Sequence, residues 1–124
     1  MIKLIYCVRR RPDMSEEEFH RYWYEVHGPL VRKYADQIGM VRYVQRHTTD
    51  KDLLQAGAPG VGEGYDGVAE IWWESREAMT NRPATPEREQ MGKEIFEDEA
   101  KFIDHANSTR FYVEDRVIID KLQD

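Results

Sequence analysis

The four histidines of this 124-residue chain are the side chains best suited to acid–base chemistry. Because an ordinary histidine has a pKa of about 6.5, one imidazole can both accept and return a proton at neutral pH. His27 follows Trp23 by four positions on a helical stripe, and His47 ends an alternating segment. We therefore predict that His27 and His47 face one pocket from opposite sides, with His20 closer to solvent and His105 on the surface.

Other side chains could assist these histidines. Tyrosine hydroxyls and a carboxylate can polarise a substrate oxygen or orient an imidazole, and aromatic rings can form a cavity wall. The predicted catalytic residues are His27, His47, Asp66 and Tyr22. The predicted substrate-binding residues are Trp23, Tyr65, Trp72 and Phe102.

Several of these residues have a purely structural alternative, which stays open at this point. His27 could stack on Trp23 and cap the backbone before a Gly-Pro step, and His47 could be an exposed strand-end residue. Tyr22 could be a plain core residue on the same helical stripe, and Asp66 could be a turn residue.

The motifs predict neither a metal site nor a bound cofactor. Cys7 is the single cysteine, and the sequence lacks the clustered spacing of a zinc site. Gly62 to Gly67 fits a dinucleotide-binding G-x-G-x-x-G pattern, but it leads into a strand, whereas that fingerprint leaves a strand and opens a helix. Arg9 to Arg11 are interpreted as solvated charge that could also hold an anionic substrate.

Composition excludes several classes of partner. The 18 Lys and Arg against 24 Asp and Glu give a formal net charge of −6, which disfavours nucleic acid and anionic membrane surfaces. No apolar run approaches the roughly 20 residues of a membrane span, and the first residues lack a signal-peptide apolar region. We expect a cytoplasmic single domain over residues 1–124 whose partner is a small-molecule substrate.

The elements that must position these side chains follow the order βαββαβ. A capping box at Ser15 and Glu18 begins helix one, whose apolar stripe holds Phe19, Tyr22, Trp23 and Val26. Strands are predicted at residues 2–8, 40–47, 67–73 and 110–118. Helical pieces are predicted at 29–38 after a break at Gly28-Pro29 and before a stop at Gly39, at 74–83, and at 86–104 with Met91, Ile95, Phe96, Phe102 and Ile103 inward. A glycine-rich loop is predicted at 48–66.

This order predicts an α+β fold of the ferredoxin-like kind, a four-stranded antiparallel sheet with both helices on one face. The other face is left bare. Because a sheet this small would then expose a large apolar surface, we expect a second copy of the chain to cover it.

Three stretches resemble the EthD domain family of the dimeric α/β-barrel superfamily. They are RRPDMSEEEFHRYWYEVHGPLV at residues 10–31, DGVAEIWWES at 66–75 and DEAKFIDHANSTRFYVEDRVII at 98–119. His27-Gly28-Pro29 and Asp66-Gly67 are their most specific parts. The resemblance implies a homodimer that pairs two sheets into a barrel, with one pocket per protomer between sheet and helices. It also implies cofactor-free cyclase, dehydratase or isomerase chemistry on aromatic, polyketide or lactone substrates.

The leading hypothesis is therefore a cofactor-independent enzyme in which a histidine moves a proton on a ring-forming or ring-opening substrate. One alternative is a haem-binding, monooxygenase-like protein with His27 as axial ligand. Another is a non-catalytic small-molecule-binding accessory protein of a degradation pathway. RNA recognition by the sheet is the weakest alternative, because the third strand lacks the basic and aromatic run such sheets carry. The role of the glycine-rich residues 56–64 is left open.

Overall fold

The computed structural model describes residues 1–62 and 64–122, and its strands and helices follow the expected order. Strands are β1 (Ile2–Val8), β2 (Arg42–His47), β3 (Gly67–Trp73) and β4 (Thr109–Val113). Helices are α1 (Glu16–Tyr22), α2 (Gly28–Lys33), α3 (Ala35–Ile38), α4 (Arg76–Thr80) and α5 (Pro86–Glu99). A π-helical turn (Trp23–His27) joins α1 to α2, and 3-10 turns occupy Lys51–Leu53 and His105–Asn107.

The four strands form one antiparallel sheet in the order β2-β3-β1-β4. This architecture confirms the predicted ferredoxin-like fold. Successive side chains of a strand point to opposite faces. Leu4, Tyr6 and Val8 of β1 face the helices, so Lys3, Ile5 and Cys7 belong to the opposite face. No helix of the described residues covers this opposite face, and we call it the bare face.

The helical backbone continues through Gly28-Pro29, where the sequence predicted a break. A proline inside an α-helix loses one backbone hydrogen bond and presses on the carbonyl four residues earlier. Here the backbone widens into the π-helical turn before Pro29, and the Gly28 amide donates to the carbonyl of Trp23 five positions back. The wider turn changes the phase of the side chains, so Val26, expected on the packed stripe, is 41% exposed.

Three further boundaries differ from the sequence expectations. Strand β2 begins at Arg42 rather than residue 40, helix α5 ends at Glu99 rather than near residue 104, and β4 ends at Val113 rather than residue 118. Phe102 and Ile103 are buried as expected, although they follow the helix in a turn that bridges to Arg10. Phe96, expected inward, is exposed and stacks on His105.

Local signals explain the elements that were placed correctly. The Ser15 hydroxyl accepts a hydrogen bond from the Glu18 amide at the start of α1. Gly39 ends α3 with a φ of 81°, a left-handed conformation that favours glycine. No helix in the described ranges is long and apolar enough to cross a membrane.

The core lies between the sheet and the helices and fixes the position of Trp23. Phe19, Trp23 and Phe102 pack there on Tyr6 and Val8. A Cβ atom at Gly67 would lie 2.4 Å from the indole of Trp23, so glycine at the start of β3 lets this ring lie flat against the sheet. The packing of the Trp23 ring beside the sheet therefore depends on the absence of a side chain at Gly67.

Candidate functional site

The centre of the candidate site is a buried pair of His27 and Asp98. The Nδ1 atom of His27, at the end of the π-helical turn, lies 2.7 Å from Oδ2 of Asp98 on α5. Both residues are buried, at 4% and 8% exposed. Because a carboxylate only accepts hydrogen bonds, Nδ1 carries the hydrogen, and the lone pair of the neutral ring is on Nε2.

The free nitrogen of His27 opens into a cavity. In the part of the chain that the structure describes, only Nδ1 of this ring is hydrogen-bonded. No fully enclosed side-chain nitrogen or oxygen among those residues lacks a partner, so Nε2 must be accessible from a void. His27 lines a cavity of about 110 Å³ between the sheet and the helices. A histidine held by a carboxylate, with its lone pair facing a cavity, is the arrangement of a general base.

Tyr22 completes a chain of hydrogen bonds behind the imidazole. Its hydroxyl donates to Oδ1 of Asp98 at 2.5 Å, so both oxygens of the carboxylate are engaged. Burial and the hydrogen bond to Asp98 raise the pKa of Tyr22 to about 12. The tyrosine therefore stays protonated at neutral pH and acts as a donor to the carboxylate rather than as a proton acceptor.

The cavity is mostly apolar, with polar groups at a few points. The residues of its apolar wall come from the helical segments and from the inner face of the sheet. They are Leu4, Val8, Trp23, Val31, Ile38, Met40, Ala69, Ile71, Ile95 and Ile103. Polar groups come from Tyr6, Tyr43, Glu99 and Arg110 besides His27. Burial raises the pKa of Tyr43 to about 12, so this phenol is also a neutral donor.

Arg110 marks the outer end of the cavity. Its guanidinium lies 4.3 Å from the centre of the Tyr6 ring and 3.7 Å from a carboxylate oxygen of Glu99. The side chain of Arg110 is 53% exposed, whereas that of Glu99 is 15% exposed. The charged groups therefore stand where the cavity approaches solvent, and the proton-accepting nitrogen of His27 belongs to the buried interior.

The structure does not bring His47 to the same cavity, which corrects the prediction that the two histidines face one pocket. His47 packs against Trp23 with ring centres 4.5 Å apart. Trp23 lines the cavity of His27, but His47 lines a separate open groove. Its Nδ1 atom lies 2.7 Å from Nδ1 of His20, a residue expected nearer to solvent that is half-buried here.

Asp66 and Tyr65 hold the chain near the glycine-rich loop rather than the cavity. The Asp66 carboxylate accepts hydrogen bonds from the backbone amide of Arg10 at 2.8 Å and from its guanidinium at 3.0 Å. The ring of Tyr65 lies under the guanidinium of Arg9. Neither residue lines the cavity of His27. Gly62 and Gly64 are exposed beside them, and Glu63 lies outside the described residues.

The predicted aromatic wall is divided between three places. Trp23 lines the cavity, and Phe102 packs behind it, with its ring 5.0 Å from that of His27. Trp72 belongs to the bare face, where Lys3 and Arg42 lie over its ring. Trp23 therefore lies where a molecule in the cavity would contact it, Phe102 packs on the ring of His27, and Trp72 does not line the cavity.

Comparison with known proteins identifies the family of this chain. The EthD domain model matches residues 11–106, which is most of the sequence. The chain belongs to the EthD domain family. It is 28% identical over 105 residues, covering 81% of this chain and 72% of the other, to the conidial pigment biosynthesis dehydratase EthD of Metarhizium robertsii.

Solved structures share the fold of this EthD domain. An EthD-family protein of Bacillus halodurans matches with a TM-score of 0.61 and 21% identity, over 94% of this chain and 99% of the other. A dimeric protein with a ferredoxin-like fold from Bacteroides fragilis matches with a TM-score of 0.56 and 14% identity, over 91% and 94% of the two chains. At these identities the likeness establishes the fold alone.

Asp98 is the residue of this candidate site that sequence reasoning missed. A signal was available, because Asp98 lies seven positions after Met91 and four before Phe102, both of which are buried. A carboxylate on the packed stripe of a helix is costly unless a partner meets it. The partners that meet Asp98 here are His27 and Tyr22.

Proposed function

We propose that this EthD-domain protein is a small-molecule lyase of the dehydratase type. The observation that carries the proposal is the free Nε2 of His27, oriented by Asp98 and facing a cavity. The Metarhizium relative, a dehydratase of conidial pigment biosynthesis, supports the same reaction class. We further propose that no cofactor takes part, and that the substrate is a ring-containing molecule with a hydroxyl on the carbon β to a carbonyl.

The proposed reaction uses one histidine twice. His27 Nε2 removes the proton from the carbon next to the carbonyl, and the electrons of that C–H bond form a carbon–carbon double bond. The C–O bond on the β-carbon breaks, and the leaving hydroxyl takes the proton back from Nε2 to form water. Asp98 compensates the positive charge of the imidazolium between the two transfers. We propose that Tyr43, which lines the cavity and whose hydroxyl accepts a hydrogen bond from Gln45 Nε2 at 3.1 Å, donates a hydrogen bond to the carbonyl oxygen.

The cavity limits the part of the substrate that reacts. Its 110 Å³ is smaller than the roughly 150 Å³ of an apolar cavity that holds benzene. We propose that no more than one ring enters beside His27, and that the remainder of a larger molecule passes Arg110 toward solvent. The apolar wall favours a ring that becomes aromatic or conjugated when water is lost.

We also propose that the protein is a homodimer joined through the bare face. This face carries apolar side chains on all four strands: Val44 on β2, Val68 on β3, Ile5 on β1, and Phe111 and Val113 on β4. Phe111 is 45% exposed. Apolar side chains left exposed on a sheet face favour an interface, and the Bacteroides protein with the same fold is dimeric.

The function is tested with cyclic β-hydroxyketones of one and two rings. Water loss is followed by the absorbance of the conjugated product, and exchange of the α-proton is followed by NMR in D₂O. We expect dehydration and exchange by the native chain, and loss of both in His27→Asn with a fold unchanged by circular dichroism. Equal rates for His27→Asn and the native protein would overturn the proposal. Binding of these ketones without exchange or water loss would assign the protein to the accessory class.

A further inference from the structure

A second carboxylate lines the cavity of His27, and the proposed reaction does not use it. Glu99, the last residue of α5, follows Ile95 by one helical turn, and both side chains line the cavity. The side chain of Glu99 is 15% exposed, whereas that of Glu97 on the same helix is 63% exposed. Because a carboxylate beside an apolar wall is costly unless partners meet it, the contacts of Glu99 indicate its role.

Two side chains hold one oxygen of this carboxylate. Oε1 of Glu99 lies 3.1 Å from Nε2 of His105 and 3.7 Å from the guanidinium of Arg110. Since a carboxylate only accepts hydrogen bonds, Nε2 of His105 carries the hydrogen. The ring of His105 stacks in turn on Phe96, with ring centres 4.7 Å apart and planes 7° from parallel. His105 does not line the cavity, so it holds Oε1 from behind the cavity wall.

The other oxygen of Glu99, Oε2, is free to meet a ligand. Among the described residues, the hydrogen bond and the ion pairs of this side chain all end on Oε1. No fully enclosed side-chain oxygen in the described ranges lacks a partner, so Oε2 is reached from the cavity or from its mouth. A ligand that displaces water there without offering a donor leaves a desolvated charge unpaired, which weakens its binding.

The negative charge of Glu99 also acts on two tyrosines of the sheet. Burial raises the pKa of Tyr6 on β1, Arg110 opposes this increase, and the charge of Glu99 adds to it. Burial raises the pKa of Tyr43 on β2 to about 12, and the charge of Glu99 contributes again, while hydrogen bonds oppose it. Both tyrosines line the cavity. Glu99 therefore faces the inner side of the sheet across the cavity.

The surroundings of Glu99 favour a neutral hydroxyl as the donor that meets Oε2. Arg110 already places a positive charge beside this carboxylate, and a ligand ammonium would stand next to that charge. The hydroxyl that leaves as water is also unsuitable. A leaving hydroxyl needs a proton, whereas a carboxylate accepts a hydrogen bond and offers none. The donor is therefore a second hydroxyl of the substrate.

We propose that Glu99 selects ring compounds that carry a second hydroxyl, separate from the leaving one, by accepting its hydrogen bond at Oε2. The inference rests on the dehydratase function proposed above, although binding of the ring can be measured without turnover. Asp98 then orients the base, and Glu99, the next residue of α5, orients the substrate. A site built to bind a hydroxyl rejects the analogue without it more strongly than an apolar pocket distinguishes two similar groups.

Phenol and toluene test this selection, because they differ only by a hydroxyl and a methyl group of similar size. Their binding to the full chain is measured by NMR titration. We expect the native protein to bind phenol more tightly than toluene, although toluene leaves water more readily. Glu99→Gln should lower this preference about tenfold, because a hydrogen bond to a neutral amide is weaker than one to a carboxylate.

Two further variants separate selection from a general effect on the helix. Glu97→Gln removes a negative charge from the exposed side of α5 and should keep the preference for phenol. His105→Phe keeps an aromatic ring beside Phe96 but removes the donor that holds Oε1 of Glu99. We expect His105→Phe to lower the preference about threefold, as for the loss of one hydrogen bond. A purely structural role of Glu99 would weaken the binding of phenol and toluene by the same factor.

The outcomes separate this inference from the proposed function. A preference for phenol that survives Glu99→Gln, equal weakening of both ligands, or binding of neither ring would overturn the role of Glu99. Turnover is then compared for a cyclic β-hydroxyketone with and without a second ring hydroxyl, and we expect a kcat/KM ratio above about ten that falls in Glu99→Gln. Dehydration without this preference would overturn the inference and leave the function standing. Phenol selectivity that depends on Glu99, in a protein that dehydrates neither ketone, would do the reverse.

Discussion

Two of the pairs formed by histidines, His27 with Asp98 and His20 with His47, differ in what each histidine faces. His27 meets Asp98 at 2.7 Å, and His20 meets His47 at the same 2.7 Å. The carboxylate partner fixes one tautomer and can compensate a positive ring. A histidine partner carries no negative charge, so it cannot compensate a positive ring. Protonating both rings of that pair would bring two positive charges together.

Neighbouring groups fix the direction of the hydrogen bond in the second pair. Gln45 donates its amide nitrogen to the Trp23 carbonyl at 2.8 Å, so its oxygen faces His47 Nε2 at 2.9 Å. Nε2 of His47 therefore carries the hydrogen, and its Nδ1 accepts from Nδ1 of His20. The lone pair of His47 is consumed by its partner, whereas that of His27 is free. Residue type alone does not distinguish a catalytic base from a structural histidine. The hydrogen-bond partner of the ring and the direction of its unprotonated nitrogen distinguish them.

Replacing the base of the first pair should have the largest effect on activity. We expect His27→Asn to lower kcat by about 100-fold to 10,000-fold, the usual contribution of a positioned general base. The matched change His47→Asn should leave kcat within about threefold, because Trp23 separates that ring from the cavity. Turnover and melting temperature are measured on the same preparations. A larger kcat loss in His47→Asn than in His27→Asn would reverse the assignment of the two pairs.

Asp98→Asn should have the next largest effect. We expect it to lower kcat by about 100-fold, which is at the lower end of the loss expected for His27→Asn. An amide can donate as well as accept, so it no longer imposes hydrogen on Nδ1, and it cannot compensate the imidazolium. Asp98→Glu keeps the negative charge but moves the carboxylate, so this control separates the effect of the charge from the effect of its position. Activity of Asp98→Asn near that of the native protein would show that the pair is structural.

The fold could be predicted from the sequence because its signals are local and repeated. The Ser15 cap, the β-branched and aromatic residues of β1 and the left-handed Gly39 each act within a few residues. The helix through Pro29 could not be predicted by the same reasoning, because the π-helical turn is a response of the backbone to that proline. The end of β4 also escaped prediction: Val117 and Ile118 have strand propensity, but a strand forms only where an edge is available.

The site was harder to predict because it depends on contacts between distant segments. His27 was recognised from its place after Trp23, but Asp98, 71 residues further on, could be matched to it only in three dimensions. Trp72 shows the opposite error. Its aromatic ring suggested a cavity wall, but the register of β3 turns it to the bare face. Residue types indicate chemistry, and the sheet register decides which of them meet.

Removing the hydroxyl behind Asp98 should have a smaller effect. We expect Tyr22→Phe to lower kcat about tenfold, since a hydrogen bond to a charged group contributes about 1.5–3 kcal/mol and part of that loss is recovered by rearrangement. The proton stays on Tyr22 throughout, so its pKa of about 12 should not appear in the activity profile below pH 10. Tyr24→Phe, on the neighbouring exposed tyrosine, is the control. An unchanged kcat in Tyr22→Phe would show that Asp98 is held adequately by His27 alone.

The smallest effect concerns the second pair and acts on stability rather than turnover. Burial lowers the pKa of His20 and of His47 below the ordinary value of about 6.5, and the charge of His20 lowers that of His47 further. The nearby charges on His20 partly cancel, since Asp66 and Glu16 favour its protonation and Lys51 and Arg10 oppose it.

As the pH falls below about 6.5, the unfolded chain takes up these protons before the folded one does, so the free energy of unfolding decreases. Above this pH the pair makes its full contribution to the free energy of unfolding. That contribution is lost as the pH falls from about 6.5 to the lower pKa values of the folded state. We expect the melting temperature of the native protein to fall by a few degrees between pH 7 and pH 5, and the double variant His20→Gln with His47→Gln to show a shallower fall. The two single variants complete a double-mutant cycle. The interaction free energy that this cycle measures should change with pH, because protonation of the pair replaces the proton shared by His20 and His47. A double variant that loses stability on acidification as steeply as the native protein would place the titrating groups elsewhere and reduce this pair to a packing contact beside Trp23.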